Sequence, residues 1–181
     1  MMQHLYSRGR WLVASGLLLS GMYFGISALS TAATASEKNS VAMQSPVPAG
    51  YERACGECHM AYPPVLLPVK SWERLMSQLD NHFDENAELL PEEHVKVDKY
   101  LISNAGYEGQ GLLQNMQEKA PLRITLLPEY LHEHDELKKE MTTENPQVVS
   151  LSNCDACHQD SVLARFEEDM INIPGFGPWE D

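Results

Sequence analysis

A Cys-x-x-Cys-His motif occurs twice in this chain and uses all four of its cysteines. The first copy, CGECH, runs from Cys55 to His59, and the second, CDACH, runs from Cys154 to His158. Three kinds of site place cysteines in such pairs: a four-thiolate zinc site, a thiol–disulfide redox site and a covalently attached haem. The histidine after each pair decides among them.

Only a covalent haem uses that histidine. A zinc ribbon is indifferent to the residue after each pair, and its pairs usually lie much closer in sequence than Cys55 and Cys154 do. A thioredoxin-like site needs one pair at a strand-to-helix turn, within an alternating strand and helix pattern that this sequence does not show. Two thiols three positions apart lie on one side of a helical turn, where both can form thioethers with one porphyrin. The sequence therefore predicts two covalently attached c-type haems, each with an iron.

Each motif then supplies two attachment cysteines and, directly after them, a histidine that lies beneath the iron as its proximal ligand. For the first haem these residues are Cys55, Cys58 and His59, and for the second they are Cys154, Cys157 and His158. An electron carrier needs one more axial ligand on each iron, normally Met or His. We therefore searched the remaining histidines for the two distal ligands.

His82 is the candidate for the first haem. The segment SWERLMSQLDNHF places apolar residues at helical spacing, which predicts one buried stripe made of Trp72, Leu75, Met76, Leu79 and Phe83. His82 is expected on or beside that stripe, where a neutral imidazole needs a partner such as iron. His94 lies near the start of a second predicted helix, which begins at Pro91, and we expect it to be exposed to solvent.

His134 is the candidate for the second haem. In LPEYLHEHDELKKE it shares a helical face with Leu127, Tyr130 and Leu131. His132 points nearer to the charged side of the same helix and is the main alternative. We expect Lys138 and Lys139 to close this helix at its negative end.

Short runs of the sequence also carry a resemblance. In the first half they are CHMAYPP at 58–64, LLP at 66–68, SW at 71–72 and HF at 82–83. In the second half they are IT before Pro128, the pair Glu133-His134, and a tail in which Phe166, Ile173 and Pro174 follow CDACH. With these runs the chain resembles the bacterial dihaem cytochrome c family, the group that includes the electron-transfer partner of the sphaeroides haem protein.

The resemblance implies that each haem is ligated by two histidines, with His82 and His134 as the distal ligands. This agrees with the helical faces. The chain departs from the family where Asp84 replaces a Gly that usually follows HF, and where Ser161 and Ala164 are the small residues after the second motif. These departures bear on local turn geometry more than on the ligands.

The expected fold is mostly α, a small multihaem cytochrome c with short helices, long irregular loops and the two haems forming the core. Residues 1–35 are predicted to be a signal peptide, because two arginines precede an apolar run and ATA at 33–35 offers a cleavage site. An uncleaved membrane anchor is the alternative. Residues 36–50 lack periodicity and are predicted to be a flexible segment, and residues 51–181 to be the dihaem cytochrome c domain. Export predicts a periplasmic location.

The predicted function is electron transfer between redox proteins. Two histidines on each iron leave no position for a small-molecule substrate, which favours a carrier over an enzyme. The formal net charge of −13 argues against nucleic acid and for basic partners. The resemblance implies an oxygen-binding c-type haem protein and a membrane b-type cytochrome as those partners. The alternatives are an electron-entry subunit of a larger periplasmic reductase and a small dihaem peroxidase.

Overall fold

The structure, a computed structural model, describes residues 47–48 and 50–180. The predicted signal peptide and most of the predicted flexible segment lie outside the described residues. The α-helices of the described part are α1 (Tyr51–Cys55), α2 (Val69–Met76), α3 (Pro91–Ser103) and α4 (Pro128–Glu133). Strands β1 (Asn172–Ile173) and β2 (Gly177–Pro178) form an antiparallel hairpin.

Single turns of 3-10 helix and irregular loops connect these elements. The prediction of a mostly α fold with short helices and long loops is therefore confirmed. Within the part of the chain that the structure describes, no helix has the length and apolar character needed to cross a membrane.

Helix α3 is the longest α-helix of the described part, and local sequence explains where it begins. Pro91 occupies the first helical position, where its fixed φ suits a helix and its missing N–H costs nothing. Acidic side chains in the first turn then face the positive end of the helix dipole. The helix packs against α2 and buries Val97, Tyr100 and Leu101.

Helix α2 is shorter than predicted from the apolar stripe, which extended to Phe83. Trp72 and Met76 are buried as expected, and the indole of Trp72 donates a hydrogen bond to the Pro64 carbonyl at 2.7 Å. The helix ends at Met76, however, and Phe83 is 39% exposed, so the prediction of one continuous stripe was wrong. Phe83 and Asp84 adopt φ of 55° and 76°, and this left-handed backbone cannot continue a right-handed helix.

Helix α4 also stops earlier than predicted. It ends at Glu133, Leu131 is 52% exposed, and the two lysines lie beyond the helix at a separate 3-10 turn, Lys139–Met141. The reason lies at Tyr130, whose carbonyl accepts a 2.8 Å hydrogen bond from the His134 ring. In a continuing helix the backbone N–H of residue 134 would use that carbonyl. The prediction that Lys138 and Lys139 close α4 was therefore wrong.

The C-terminal segment forms the hairpin of β1 and β2. Ile173 in β1 is buried, whereas Phe176 is 52% exposed. Gly175 and Gly177 adopt φ of 81° and 95°, which lets the chain reverse within four residues. Phe176 therefore does not cover the core, and Trp179 is half-buried.

The core lies between α2, α3 and the turns before and after them. Its buried members share apolar or aromatic side chains and include Leu66, Leu67, Trp72, Met76, Val97, Tyr100, Leu101, Leu113 and Leu127. Gly106 lies where two segments of the chain touch. Its N–H donates a hydrogen bond to the Leu67 carbonyl at 2.9 Å. A Cβ added there would lie 2.2 Å from the Val65 carbonyl oxygen.

We expect Gly106→Ala to lower the free energy of unfolding of the haem-loaded protein by about 2 kcal/mol, because the new methyl group overlaps backbone atoms that cannot move aside. Gly50→Ala is the matched control, since the Cβ there meets the end of the flexible Glu93 side chain first. Urea unfolding of both variants gives the comparison. Equal stability of the two variants would contradict the close packing at Gly106.

Candidate functional site

The first motif begins on α1 and ends in an exposed turn. Cys55 is the last residue of α1, Cys58 is exposed, and neither forms a disulfide. Burial, followed by the nearby Glu93 charge, raises the pKa of Cys55 to about 11. This is opposite to the lowered thiol pKa that reactive redox cysteine pairs show. The ring of His59 donates from Nδ1 to the Met60 carbonyl at 2.7 Å, which leaves Nε2 free.

His82 faces His59 across a gap. The two ring centroids lie 6.2 Å apart with 33° between the ring planes. His82 follows the 3-10 turn Leu79–Asn81, and its Nδ1 is buried with no hydrogen-bond partner among the described residues. Burial lowers the pKa of His82, with smaller contributions from His59 and Arg123. The ring is therefore neutral and has a lone pair available for a metal ion.

The second motif is a 3-10 turn, Cys154–Ala156, followed by Cys157 and His158. Burial is the main cause that raises the pKa of both thiols, to about 11 for Cys154. The Cys157 carbonyl accepts a 3.0 Å hydrogen bond from the backbone N–H of Asn172. Strand β1 therefore fixes the end of this motif.

His134 faces His158 in the same manner. Their ring centroids lie 6.3 Å apart with 60° between the planes. Burial lowers the pKa of both rings, so both are neutral at neutral pH. The Tyr130 carbonyl accepts the Nδ1–H of His134 and thereby leaves its Nε2 free.

A cavity of about 860 Å³ opens around this second pair. Both histidines and both cysteines of the second site line it, together with apolar residues such as Leu151, Phe166, Ile171, Ile173 and Trp179. Cofactor pockets usually measure about 300–1,000 Å³ and have mostly apolar walls. The cavity is large enough for one porphyrin.

The spacing of both histidine pairs fits an iron held between two imidazoles. With metal–nitrogen bonds of about 2 Å on each side, the ring centres would lie about 6 Å apart. Within the described residues, no three His, Cys, Asp or Glu side chains meet in one metal-binding group, so the four cysteines do not form a zinc site. The side chains present therefore fit two haems.

Comparison with known proteins decides the family. The family model for dihaem cytochrome c matches residues 51–166. The chain belongs to the dihaem cytochrome c family. It is therefore a haem electron-transfer protein with two covalently bound c-type haems, as the two motifs and the resemblance predicted.

Solved structures of dihaem cytochromes c agree with this assignment. One from Shewanella baltica OS155 is 38% identical, with a TM-score of 0.62 over 74% of this chain and 100% of that one. Two structures from Rhodobacter sphaeroides are 40% and 36% identical, with TM-scores of 0.56 and 0.53. They cover 64% and 67% of this chain, and 94% and 98% of their own. No match was found among curated proteins.

The other two candidate histidines do not face a motif histidine. His94 is half-buried rather than exposed as we expected, because its Nε2 bonds to the Met76 carbonyl at 3.0 Å. The side chain of His132 is 75% exposed and lies 3.6 Å from the Asp135 carboxylate. Neither ring is paired with a motif histidine, although His132 is among the residues that line the cavity of the second site.

Four aromatic residues surround the two histidine pairs, a role that the sequence patterns did not indicate. Tyr62 stacks on His59 and Tyr130 stacks on His134. Phe83 and Phe166 approach His82 and His158 edge-on. The spacing gives a partial signal, since Tyr130 precedes His134 by one helical turn and Phe83 follows His82 directly. No pattern in the sequence indicates which ring meets which histidine.

We expect the haem-free chain of this cytochrome to be unfolded, because the porphyrins fill space that the chain itself leaves empty and thereby stabilise the folded state. A variant with Ala at Cys55, Cys58, Cys154 and Cys157 tests this expectation. Far-ultraviolet circular dichroism should show little helix and no cooperative thermal transition, whereas the haem-loaded protein melts cooperatively. A compact haem-free chain with a sharp transition would contradict the expectation.

Proposed function

We propose that this dihaem cytochrome c is a periplasmic electron carrier in which two histidines ligate each iron. His59 and His82 hold the first haem, and His158 and His134 hold the second. The observation that supports this proposal is the separation of the two ring pairs, 6.2 Å and 6.3 Å, in a chain with only two haem motifs.

The haem supplies one-electron redox chemistry when it is bound. The chain orients the imidazoles, since the Met60 and Tyr130 carbonyls accept the Nδ1–H groups of His59 and His134. Such hydrogen bonds fix the ring orientation and make the other nitrogen a better ligand. Apolar side chains such as Leu151, Phe166 and Ile173 form part of the wall of the second site. Two imidazoles favour a lower reduction potential than a Met and His pair would.

With four histidines used in this way, no coordination position is open for a substrate. The protein then passes electrons between redox proteins rather than performing catalysis at a metal. Tyr62 and Tyr130 stack on one histidine of each pair and restrain its orientation, which suits an electron carrier.

We expect His82→Ala to open one face of the first iron and His134→Ala to open one face of the second. Each variant should gain a high-spin ferric signal in electron paramagnetic resonance and should bind carbon monoxide when reduced, at one haem per chain. The wild type should show neither property.

His94→Ala and His132→Ala are the matched controls, because neither ring faces a motif histidine. Both should keep the two low-spin signals of the wild type. Carbon monoxide binding by the wild-type protein would contradict ligation by two histidines and would favour the peroxidase alternative. Carbon monoxide binding by His132→Ala but not by His134→Ala would reassign the second distal ligand.

We also propose that the partners are basic redox proteins. The oxygen-binding c-type haem protein and the membrane b-type cytochrome implied by the resemblance are the specific candidates. Five carboxylates line the cavity of the second site: Glu129, Glu133, Asp135, Glu136 and Glu168. The described lining residues include no Lys or Arg. This acidic rim supports encounter with a positively charged partner near the second haem.

We expect electron transfer to a basic haem protein to slow as ionic strength rises, because salt screens the attraction between the two surfaces. The double variant Asp135→Asn with Glu136→Gln should reduce the association rate about two- to tenfold at low salt. Glu73→Gln with Glu92→Gln removes two exposed charges from α2 and α3 and serves as the control. Stopped-flow absorption at several salt concentrations measures both, and equal effects of the two variants would contradict docking at the acidic rim.

A further inference from the structure

Two tyrosines each stack on one histidine of a facing pair. The rings of Tyr62 and His59 have centroids 4.9 Å apart and an interplanar angle of 26°. The rings of Tyr130 and His134 have centroids 4.0 Å apart and an interplanar angle of 15°. A stacked ring limits rotation of the imidazole about its own axis. Each site thus has one histidine whose orientation depends on a tyrosine.

The hydroxyl groups of these tyrosines reach consecutive carbonyls of one segment. Tyr62 donates to the Ser152 carbonyl at 2.7 Å, and Tyr130 donates to the Leu151 carbonyl at 2.5 Å. Ser152 lies two residues before Cys154, and its carbonyl oxygen lies 3.7 Å from the Cys154 sulfur. Tyr62 therefore joins a histidine of the first site to the segment that begins the second motif, 90 residues away in sequence.

The segment that receives both hydroxyl groups is tightly bonded. The Asn153 side chain donates to the Val148 carbonyl at 3.1 Å, and its backbone N–H donates to the Ser150 carbonyl at 3.0 Å. The hydroxyls of Ser150 and Ser152 lie 2.8 Å apart. These bonds close a compact turn that connects residues 151–152 to Cys154 by a short, hydrogen-bonded stretch of chain.

We propose that Tyr62 and Tyr130 couple the two haem sites as positioning residues. They orient His59 and His134 through ring stacking and connect both imidazoles to the turn at residues 151–152. A change in one site therefore alters the spectrum and potential of the other. This inference rests on the ligand assignment proposed above.

Tyr62→Phe is the decisive variant, because it keeps the stacked ring and removes the hydrogen bond to Ser152. Electron paramagnetic resonance of the oxidised protein and a redox titration of both haems give the readout. The histidine variants His82→Ala and His134→Ala identify which signal and which potential belong to which haem. Tyr107→Phe, a change in an exposed tyrosine outside both pairs, sets the size of an unspecific effect.

We expect Tyr62→Phe to shift the signal and midpoint potential of the second haem, although the Tyr62 ring stacks on a histidine of the first. Tyr62→Leu should shift both haems, because it also removes the stacking. Tyr130→Phe removes the bond to Leu151 within the second site, and it should shift the second haem directly and the first haem through the turn that also binds Tyr62. All three shifts should exceed that of Tyr107→Phe.

A shift confined to the first haem in Tyr62→Phe, or no shift beyond that of the Tyr107→Phe control, would overturn the coupling. The wild-type spectrum separates this result from a failure of the ligand assignment. If the wild type shows two low-spin signals but the tyrosine variants do not show the expected shifts, the coupling is wrong and the ligand assignment is retained. If the wild type lacks those signals, the ligand assignment is wrong and the coupling inference falls with it.

Discussion

The arrangement of this cytochrome depends on two pairs of imidazole rings. In each pair the two rings face each other, with centroids 6.2 Å or 6.3 Å apart, a separation that fits one metal ion. In each pair one histidine is fixed by its motif, and the other is brought from a different part of the chain. A neutral imidazole with an unpaired nitrogen is costly to bury unless something satisfies it. The Nδ1 of His82 is buried in this way, with no hydrogen-bond partner among the described residues, and the early end of α4 at His134 shows how the backbone adapts to place a ring.

The rest of the fold follows from the space that two porphyrins need. Only one α-helix of the described part exceeds three full turns, and the segments around the motifs are short turns held by side-chain to backbone bonds. Such a chain buries little apolar surface by itself, apart from the cluster between α2 and α3. Covalent attachment allows this, because the haems add apolar area to the core and cannot dissociate. The acidic rim near the second site then supports a role in transient encounters, in which charge guides a partner without holding it.

The patterns that predicted the structure well were short and local. Pro91 and the acidic residues after it predicted the start of α3, and the spacing around α4 predicted the burial of Leu127 and Tyr130 but not the exposure of Leu131. The predictions failed where a pattern was extended beyond the local turn. Phe83 fitted a helical stripe with Trp72 but is exposed, because the backbone becomes left-handed there. Asp84, at the position where the resemblance implies a Gly, adopts φ of 76°, so this departure coincides with the left-handed turn.

The sequence by itself determined the two haem attachment sites and the histidine next to each, because a CxxCH motif joins two thiols and an imidazole within one turn of chain. Helical spacing also indicated His82 and His134 as candidates. Only the tertiary structure decided which histidines face the motifs, which tyrosines stack on them, and that Tyr62 and Tyr130 meet one turn at residues 151–152. The physical reason is that such contacts join residues up to 90 positions apart. Their geometry depends on where each helix stops, which periodicity does not specify.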